Sequence, residues 1–159
     1  MTQPARSTDA YAGFWIRVWA ALIDFFLLAL ILVPILLGVY GKDYFSSDAP
    51  LIAGPVDFLL NWVVPAIVII LFWMYKAATP GKMAVGLRIV DAKSGTTPTT
   101  GQCVGRYLGY YVSLLPLFAG IVWVAFDSRK QGFHDKLAGT VVIRRRGTTE
   151  EPPTFRPAP

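Results

Sequence analysis

The sequence predicts an all-α membrane protein with two spanning helices, a re-entrant or interfacial helical hairpin, and a small cytoplasmic β-pair. Composition is the first observation behind this class. Hydrophobic residues make up 54% of the 159 positions and charged residues only 16%, whereas a soluble domain carries about 25% charged residues. The apolar residues gather into three blocks that basic residues flank, which is typical of membrane-spanning chains.

The counts of reactive residues exclude several classes of protein. One Cys and one His exclude a disulfide framework within the chain and argue against a Cys/His zinc site. The short motifs of hydrolases, zinc proteases and dinucleotide-binding enzymes are missing from the sequence, so we expect no metal, no cofactor and no enzymatic activity. The net charge of +5 indicates anionic lipid headgroups rather than nucleic acid, because the basic residues border apolar blocks.

The first helix is predicted over 14–38, after a mobile cytoplasmic segment at 1–13. At 1.5 Å per residue it is about 37 Å long, which exceeds a hydrocarbon core of about 30 Å. It carries Arg17 and Asp24, and charges inside a spanning helix are functional candidates by default. They are about 10.5 Å apart along the axis, which is long for a direct salt bridge; a bridging water, a partner from another helix or a locally opened helix could link them. Alternatively, Arg17 extends to the headgroups.

Charge asymmetry predicts the orientation of the chain. The second helix is expected over 58–78. The segment before it, 39–57, is acidic, whereas 76–106 is basic. The positive-inside rule therefore places 39–57 outside and both termini in the cytoplasm.

Two β-like runs constrain the third apolar block. Residues 86–91 and 140–144 are rich in β-branched side chains and are expected to pair. Two strands pair only on one side of a membrane, so the block between them has to return to the cytoplasm. We therefore predict a hairpin of helices over 102–114 and 117–126, with a single span over 103–126 as the alternative. Such short arms are tolerated only where protein or a wet cavity covers them.

Small residues recur at every fourth position along the first arm of this hairpin: Gly101, Gly105, Gly109 and Ser113. Such a ridge permits close helix packing. Arg106 lies among these residues and is expected to pair with Asp24 or with a lipid phosphate. The tail, 147–159, is rich in Pro, Thr and Glu and is predicted to be disordered.

Three stretches together resemble one known family. They read FWIRVWAALIDFFLL at 14–28, TPGKMAVGLRIVDAKSG at 79–95 and RKQGFHDKLAGTVVIRR at 129–145. They are similar to the RDD family of bacterial inner-membrane proteins, which is named for an arginine and two aspartates. The resemblance covers most of 11–146 and implies a membrane domain of the RDD type over 14–146.

The resemblance also implies roles for single residues. Arg17 matches the arginine that opens the first helix of the family, and Asp24 matches the aspartate within that helix. The second aspartate is assigned to Asp91, with Asp135 as the alternative. The family implies a multi-pass protein of the bacterial inner membrane, transport of unidentified ligands and, for some members, sodium/proton exchange.

Two function hypotheses stay open at this point. In the first, the chain is a cation/proton exchanger for Na⁺ and H⁺ with Asp24 as the coupling carboxylate. It would work as a homo-oligomer, because two helices cannot enclose a path. In the second, the chain is a membrane assembly or interaction module whose charged side chains are structural. Both hypotheses use the same candidate polar cluster: Arg17, Asp24, Asp91, Arg106, His134 and Asp135.

Overall fold

The computed structural model describes residues 9–46, 50–114 and 119–145. Two long helices dominate this part of the chain: α1, Phe14–Tyr40, and a continuous helix, Pro55–Lys76. Both are long and apolar enough to cross a membrane. Many of their large apolar side chains are exposed, as suits helices that are solvated by lipid.

The second long helix begins and ends earlier than the predicted 58–78. It consists of α2 (Pro55–Phe58), a π-helical turn (Leu59–Val63) and α3 (Val64–Lys76). Pro55 favours the start of this helix. The N–H groups of the first helical turn have no partner within the helix, so the missing N–H of proline costs nothing there. Ala77 ends the helix in the left-handed region, at φ 54°, where its N–H donates to the Trp73 carbonyl.

A three-stranded antiparallel sheet has the order β1–β3–β2. Strand β2 is Leu87–Asp91 and strand β3 is Thr140–Arg145. The register pairs Leu87 with Arg144 and Asp91 with Thr140. The predicted pairing of 86–91 with 140–144 is therefore confirmed.

The third strand, β1 (Asp9–Tyr11), differs from the expectation that 1–13 is a mobile segment. It pairs with the second edge of β3, with Tyr11 opposite Ile143. An open strand edge presents a row of unpaired N–H and C=O groups, and β1 satisfies them. The rest of the predicted mobile ends, 1–8 and 147–159, lies outside the described residues.

Within the described ranges the shorter helices are the 3₁₀ helix Lys42–Phe45 and the α-helices α4 (Pro80–Ala84), α5 (Thr100–Leu114), α6 (Ala119–Val122) and α7 (Phe133–Ala138). Helix α5 confirms the predicted helix over 102–114. Helix α6 and the 3₁₀ turn Trp123–Ala125 occupy the predicted 117–126. The predicted break at 114–117 lies largely outside the described residues.

Helix α5 packs on α7 through only part of its small-residue ridge. A Cβ on Gly109 would lie 2.9 Å from the His134 Cα, and Ser113 Oγ accepts the His134 N–H at 3.0 Å. At Gly101 and Gly105 a Cβ would meet nothing within 4 Å. The packing contact involves only the second half of the small-residue ridge, because α7 has only six residues.

The sheet, α4, α5 and α7 form what we call the lobe. Its core also takes in the beginning of α1 and the end of α3, and its buried members are Ala12, Ala20, Trp73, Leu87, Ile89, Cys103 and Val142. This core fixes the ends of the two long helices against the lobe. It thereby sets the distance between charged side chains that are far apart in the sequence.

Candidate functional site

A buried carboxylate, Asp135, joins three helices. Arg17 Nη1, from the beginning of α1, donates to Asp135 Oδ2 at 2.5 Å. Arg106 Nη2, from the middle of α5, lies 2.7 Å from Asp135 Oδ1, as an ion pair without the alignment of a hydrogen bond. The Gly132 N–H also donates to Oδ2, at 3.1 Å, which places the carboxylate at the N-terminus of α7, where negative charge is stabilised.

The two arginines are held by further acceptors. Arg17 Nε donates to the Ala12 carbonyl at 3.1 Å, and its Nη2 donates to the Lys130 carbonyl at 2.5 Å. Arg106 Nη1 donates to Thr140 Oγ1 on β3 at 3.1 Å. Each guanidinium thus connects the carboxylate to a second element, and the planar group suits such forked contacts.

Asp135 is ionised although it is fully buried. Burial opposes the charge, but Arg106 and Arg17 outweigh it and hold the pKa of the carboxyl well below its usual range. The carboxylate compensates one of the two positive charges, and an opposite charge nearby is the usual condition for burying an ion. We refer to Arg17, Arg106 and Asp135 as the RD cluster.

His134 borders the RD cluster, with its Nε2 3.6 Å from Asp135 Oδ1. Its ring stacks on Tyr110 with centroids 4.0 Å apart, and Nδ1 lies 3.3 Å from Ser113 Oγ. Burial lowers the pKa of His134 to about 3; the charge of Asp135 raises this pKa, and the charge of Arg106 lowers it further. The imidazole is therefore neutral at pH 7 and acts as a packing group.

We expect the stability of the protein to fall as the pH drops from 6.5 towards 3, with His134 supplying part of the fall. In the folded protein the pKa of His134 is about 3, whereas a His in the unfolded chain has a pKa near 6.5. Between these two values only the unfolded chain binds the proton, and protonation therefore favours unfolding. The loss is up to about 1.4 kcal/mol per pH unit. Free energies of unfolding between pH 6.5 and 4 test this, and equal slopes for wild type and His134→Gln would contradict it.

Asp24 lies in a second, separate site. Its Oδ2 accepts from Thr79 Oγ1 at 2.5 Å and its Oδ1 accepts from the Gly81 N–H at 2.6 Å. The carboxylate therefore ties the middle of α1 to the beginning of α4. Gly81 makes this approach possible, because a Cβ there would lie 2.1 Å from the Ala20 carbonyl oxygen.

The structure corrects the predicted pairing of Arg106 and settles that of Arg17. Arg106 was expected to bind Asp24 or a lipid phosphate, but its ion-pair partner is Asp135. An indirect link between Arg17 and Asp24 is one possibility that the sequence offers; in the structure Arg17 binds Asp135, because α7 brings that carboxylate to the beginning of α1. Arg17 and Asp24 share one helix but serve different contacts.

Asp91 stands apart from both sites. Its Oδ1 accepts the N–H groups of Lys93 and Ser94 at 2.9 and 2.7 Å, and its Oδ2 accepts from Gln102 at 2.5 Å. Burial raises the pKa of Asp91, but these hydrogen bonds prevail and lower it to about 2. Asp91 thus holds the turn after β2, and the aspartate that meets Arg17 is Asp135.

A further buried aspartate lies at the opposite end of the two long helices. Asp57 accepts from the Tyr44 hydroxyl at 2.5 Å, from Asn61 at 2.5 Å and from the Ala53 N–H at 2.9 Å. Its own N–H donates to the Tyr40 hydroxyl at 2.9 Å. The cluster joins the end of α1 to the beginning of the second long helix.

Sequence reasoning missed several residues that complete these sites. Thr79 and Gly81 fall in the stretch that resembles the family, but nothing in their spacing points to Asp24. Thr140 was assigned only to the strand pair. In the described ranges, no three His, Cys, Asp or Glu side chains are grouped so that they could hold a metal ion.

Comparison with known proteins identifies one family, and the relatives include a protein described as a membrane protein. The model of the family described as "RDD family" matches residues 11–139, a range that contains Arg17, Asp24 and Asp135. Uncharacterized protein RP437 of Rickettsia prowazekii (strain Madrid E) is 30% identical over 84% of this chain and 96% of its own length. Uncharacterized membrane protein YteJ of Bacillus subtilis (strain 168) is 33% identical over 87% and 84%. No solved structure matches the chain.

Proposed function

The chain belongs to the RDD family, and from this premise we propose that it is a multi-pass membrane assembly module whose buried charges hold a cytoplasmic lobe against its first helix. One observation carries the proposal. Both oxygens of Asp135 and both oxygens of Asp24 are engaged by groups of the same chain. Buried carboxylates that are held by hydrogen bonds and ion pairs stabilise a defined arrangement of helices.

The exposed surface supports a placement of the lobe at the membrane interface. Trp15 and Trp19, at the beginning of α1, are 74% and 63% exposed, as suits an interfacial aromatic belt. Helix α5 turns one face towards α7 and leaves Val104 and Leu108 exposed on another. We propose that this apolar face rests on the bilayer, which makes α5 an interfacial rather than a re-entrant helix.

Labelling of single cysteines tests this topology. In a Cys103→Ala background, we expect Lys42→Cys to react with a membrane-impermeant maleimide from outside, and Lys93→Cys and Arg145→Cys to react only in inverted vesicles. The reason is the excess of basic residues around the lobe. Labelling of position 93 or 145 from outside would overturn the cytoplasmic placement.

Cation/proton exchange is the second candidate function, and a specific observation favours it. Asp24 is partly exposed on a helix long enough to span a membrane, and Thr79 links it to the buried Lys82, whose Nζ lies 3.5 Å from the Thr79 hydroxyl. A carboxylate and an amine joined through a hydroxyl form a short path for a proton. Exchange would require a homo-oligomer, because the two long helices of one chain do not enclose a channel.

Proton flux in proteoliposomes separates the two functions. Under the assembly proposal, a Na⁺ gradient drives no more proton movement through wild-type protein than through empty liposomes. Flux that is present in wild type, lost in Asp24→Asn and retained in Asp43→Asn would establish exchange and refute the purely structural role. Asp43 is a suitable control because it is exposed in the segment between the two long helices.

A further inference from the structure

Two cationic side chains, Arg106 and Lys82, lie beside the indole of Trp73 at the end of α3. Arg106 Cζ lies 5.2 Å from the centre of the Trp73 ring, and Lys82 Nζ lies 5.9 Å from it. Trp73 is 2% exposed and Arg106 1%. Within the described part of the chain, neither Trp73 Nε1 nor Arg106 Nε has a hydrogen-bond acceptor.

Unpaired buried donors of this kind call for an acceptor. A donor left unsatisfied in the interior costs about 1–3 kcal/mol, and native proteins rarely leave such groups without a protein, water or ligand partner. Lys82 adds three more N–H bonds, and its contact with Thr79 at 3.5 Å occupies only one of them. Tyr110, whose ring centroid lies 6.0 Å from that of Trp73, pairs with Arg106 through its hydroxyl, but the Trp73 Nε1–H is left without an acceptor among the described residues.

The local charge is also unbalanced. Three cations, Arg17, Lys82 and Arg106, face two carboxylates, Asp24 and Asp135, while His134 is neutral. Burial lowers the pKa of Lys82; the charges of Arg106 and Arg17 lower it further, whereas Tyr110 and Asp24 act in the opposite direction. A ligand with one negative charge would neutralise the excess and keep the Lys82 ammonium protonated.

We propose that Lys82, Arg106 and Trp73 form a binding site for a phosphate group. A phosphodiester carries one negative charge, which equals the excess, and its oxygens accept hydrogen bonds from all three side chains. The site also lies at a suitable depth, because Trp73 is in the last turn of a helix that ends at Lys76 and is long enough to span a membrane. Lipid headgroups and free phosphate present the same oxygens.

This inference goes beyond the proposed function, because it holds for an assembly module and for an exchanger alike. Lys82 is the most exposed of the three residues, at 9%, and its ammonium is carried on a flexible four-carbon stem.

The test is a binding titration by native mass spectrometry on the full-length protein, delipidated in a neutral detergent. The probes are a short-chain phosphatidylglycerol and the diacylglycerol with the same chains, which lacks only the phosphate headgroup. We expect the phosphatidylglycerol to bind at least about tenfold more tightly, because hydrogen bonds to a charged group contribute more than those to a neutral one. Equal binding of the two probes would overturn the proposal.

Variants locate the site. Lys82→Gln is expected to weaken phosphatidylglycerol binding about tenfold or more. Trp73→Phe keeps an aromatic ring but loses Nε1–H, and it is expected to weaken binding by about fivefold. Lys76→Gln makes the same change of charge at an exposed position and should leave the Kd unchanged. Unchanged binding in both Lys82→Gln and Trp73→Phe, with circular dichroism showing a folded protein, refutes the assignment.

Inorganic phosphate distinguishes the two sources of the ligand. Displacement of the lipid by millimolar phosphate, lost in Lys82→Gln, identifies the free ion as a ligand of the site. Lipid binding that depends on Lys82 and resists phosphate identifies the headgroup. If Lys82→Gln fails to fold, Trp73→Phe decides alone.

Discussion

Asp135→Asn is expected to destabilise the protein by about 3–5 kcal/mol, because it leaves the buried guanidinium groups of Arg17 and Arg106 without a compensating charge. Whole domains are typically stable by only about 5–15 kcal/mol, so the variant loses a large share of the total. The amide has almost the shape of the carboxylate, so the effect reports charge and not volume. Equilibrium unfolding in detergent micelles measures it.

The matched control for this variant is Asp43→Asn. Asp43 is exposed, and a surface substitution of this kind stays within about 0.5 kcal/mol. A loss below 1 kcal/mol in Asp135→Asn would show that the RD cluster does not hold the lobe. That result would also remove the main support for the assembly proposal.

Gly81→Ala is expected to cost about 3 kcal/mol, at the upper end of the effects of overpacking. The new Cβ would lie 2.1 Å from the Ala20 carbonyl oxygen, 2.8 Å from the Asp24 carboxyl carbon and 2.9 Å from the Asp24 nitrogen. Two of these are backbone atoms, so α1 and α4 have to separate and the hydrogen bonds of Asp24 are lost. Thermal unfolding followed by circular dichroism measures the effect.

Gly105→Ala is the matched control: it adds the same methyl group, but the expected change in stability has the opposite sign. A Cβ on Gly105 meets nothing within 4 Å, and alanine is favoured over glycine inside a helix by about 0.8–1 kcal/mol. We therefore expect this variant to be slightly more stable than wild type. If both glycine variants shifted the stability in the same direction by the same amount, the close contact of α1 with α4 would not be the cause.

The long helices and the pairing of β2 with β3 could be predicted from sequence, because each depends on a local pattern. Apolar length predicts helices over 14–38 and 58–78, which the structure has at Phe14–Tyr40 and Pro55–Lys76. The β-branched residues predict β2 and β3. The strand β1 could not be predicted in this way: Asp9–Tyr11 is short, and its pairing depends on the free edge of β3.

The sequence predicts which charged residues form the candidate sites, but it does not predict which of them contact one another. Charges in or beside apolar blocks are functional candidates, which singles out Arg17, Asp24, Arg106 and Asp135. Their partners depend on how α7 and α4 fold back onto α1, and no local pattern encodes that approach. The resemblance assigns the second family aspartate to Asp91 with Asp135 as the alternative; in the structure Asp91 holds a turn and Asp135 binds Arg17.

The position of Asp135 in the chain has a consequence for biosynthesis. Arg17 and Asp135 are 118 residues apart, and β3, which carries Thr140 and pairs with β1, follows Asp135. While the ribosome is still making the middle of the protein, α1 is already available for insertion and Arg17 has no carboxylate to bind. Contacts between distant residues form late and slowly, so the lobe closes only after Asp135 and β3 have been synthesised.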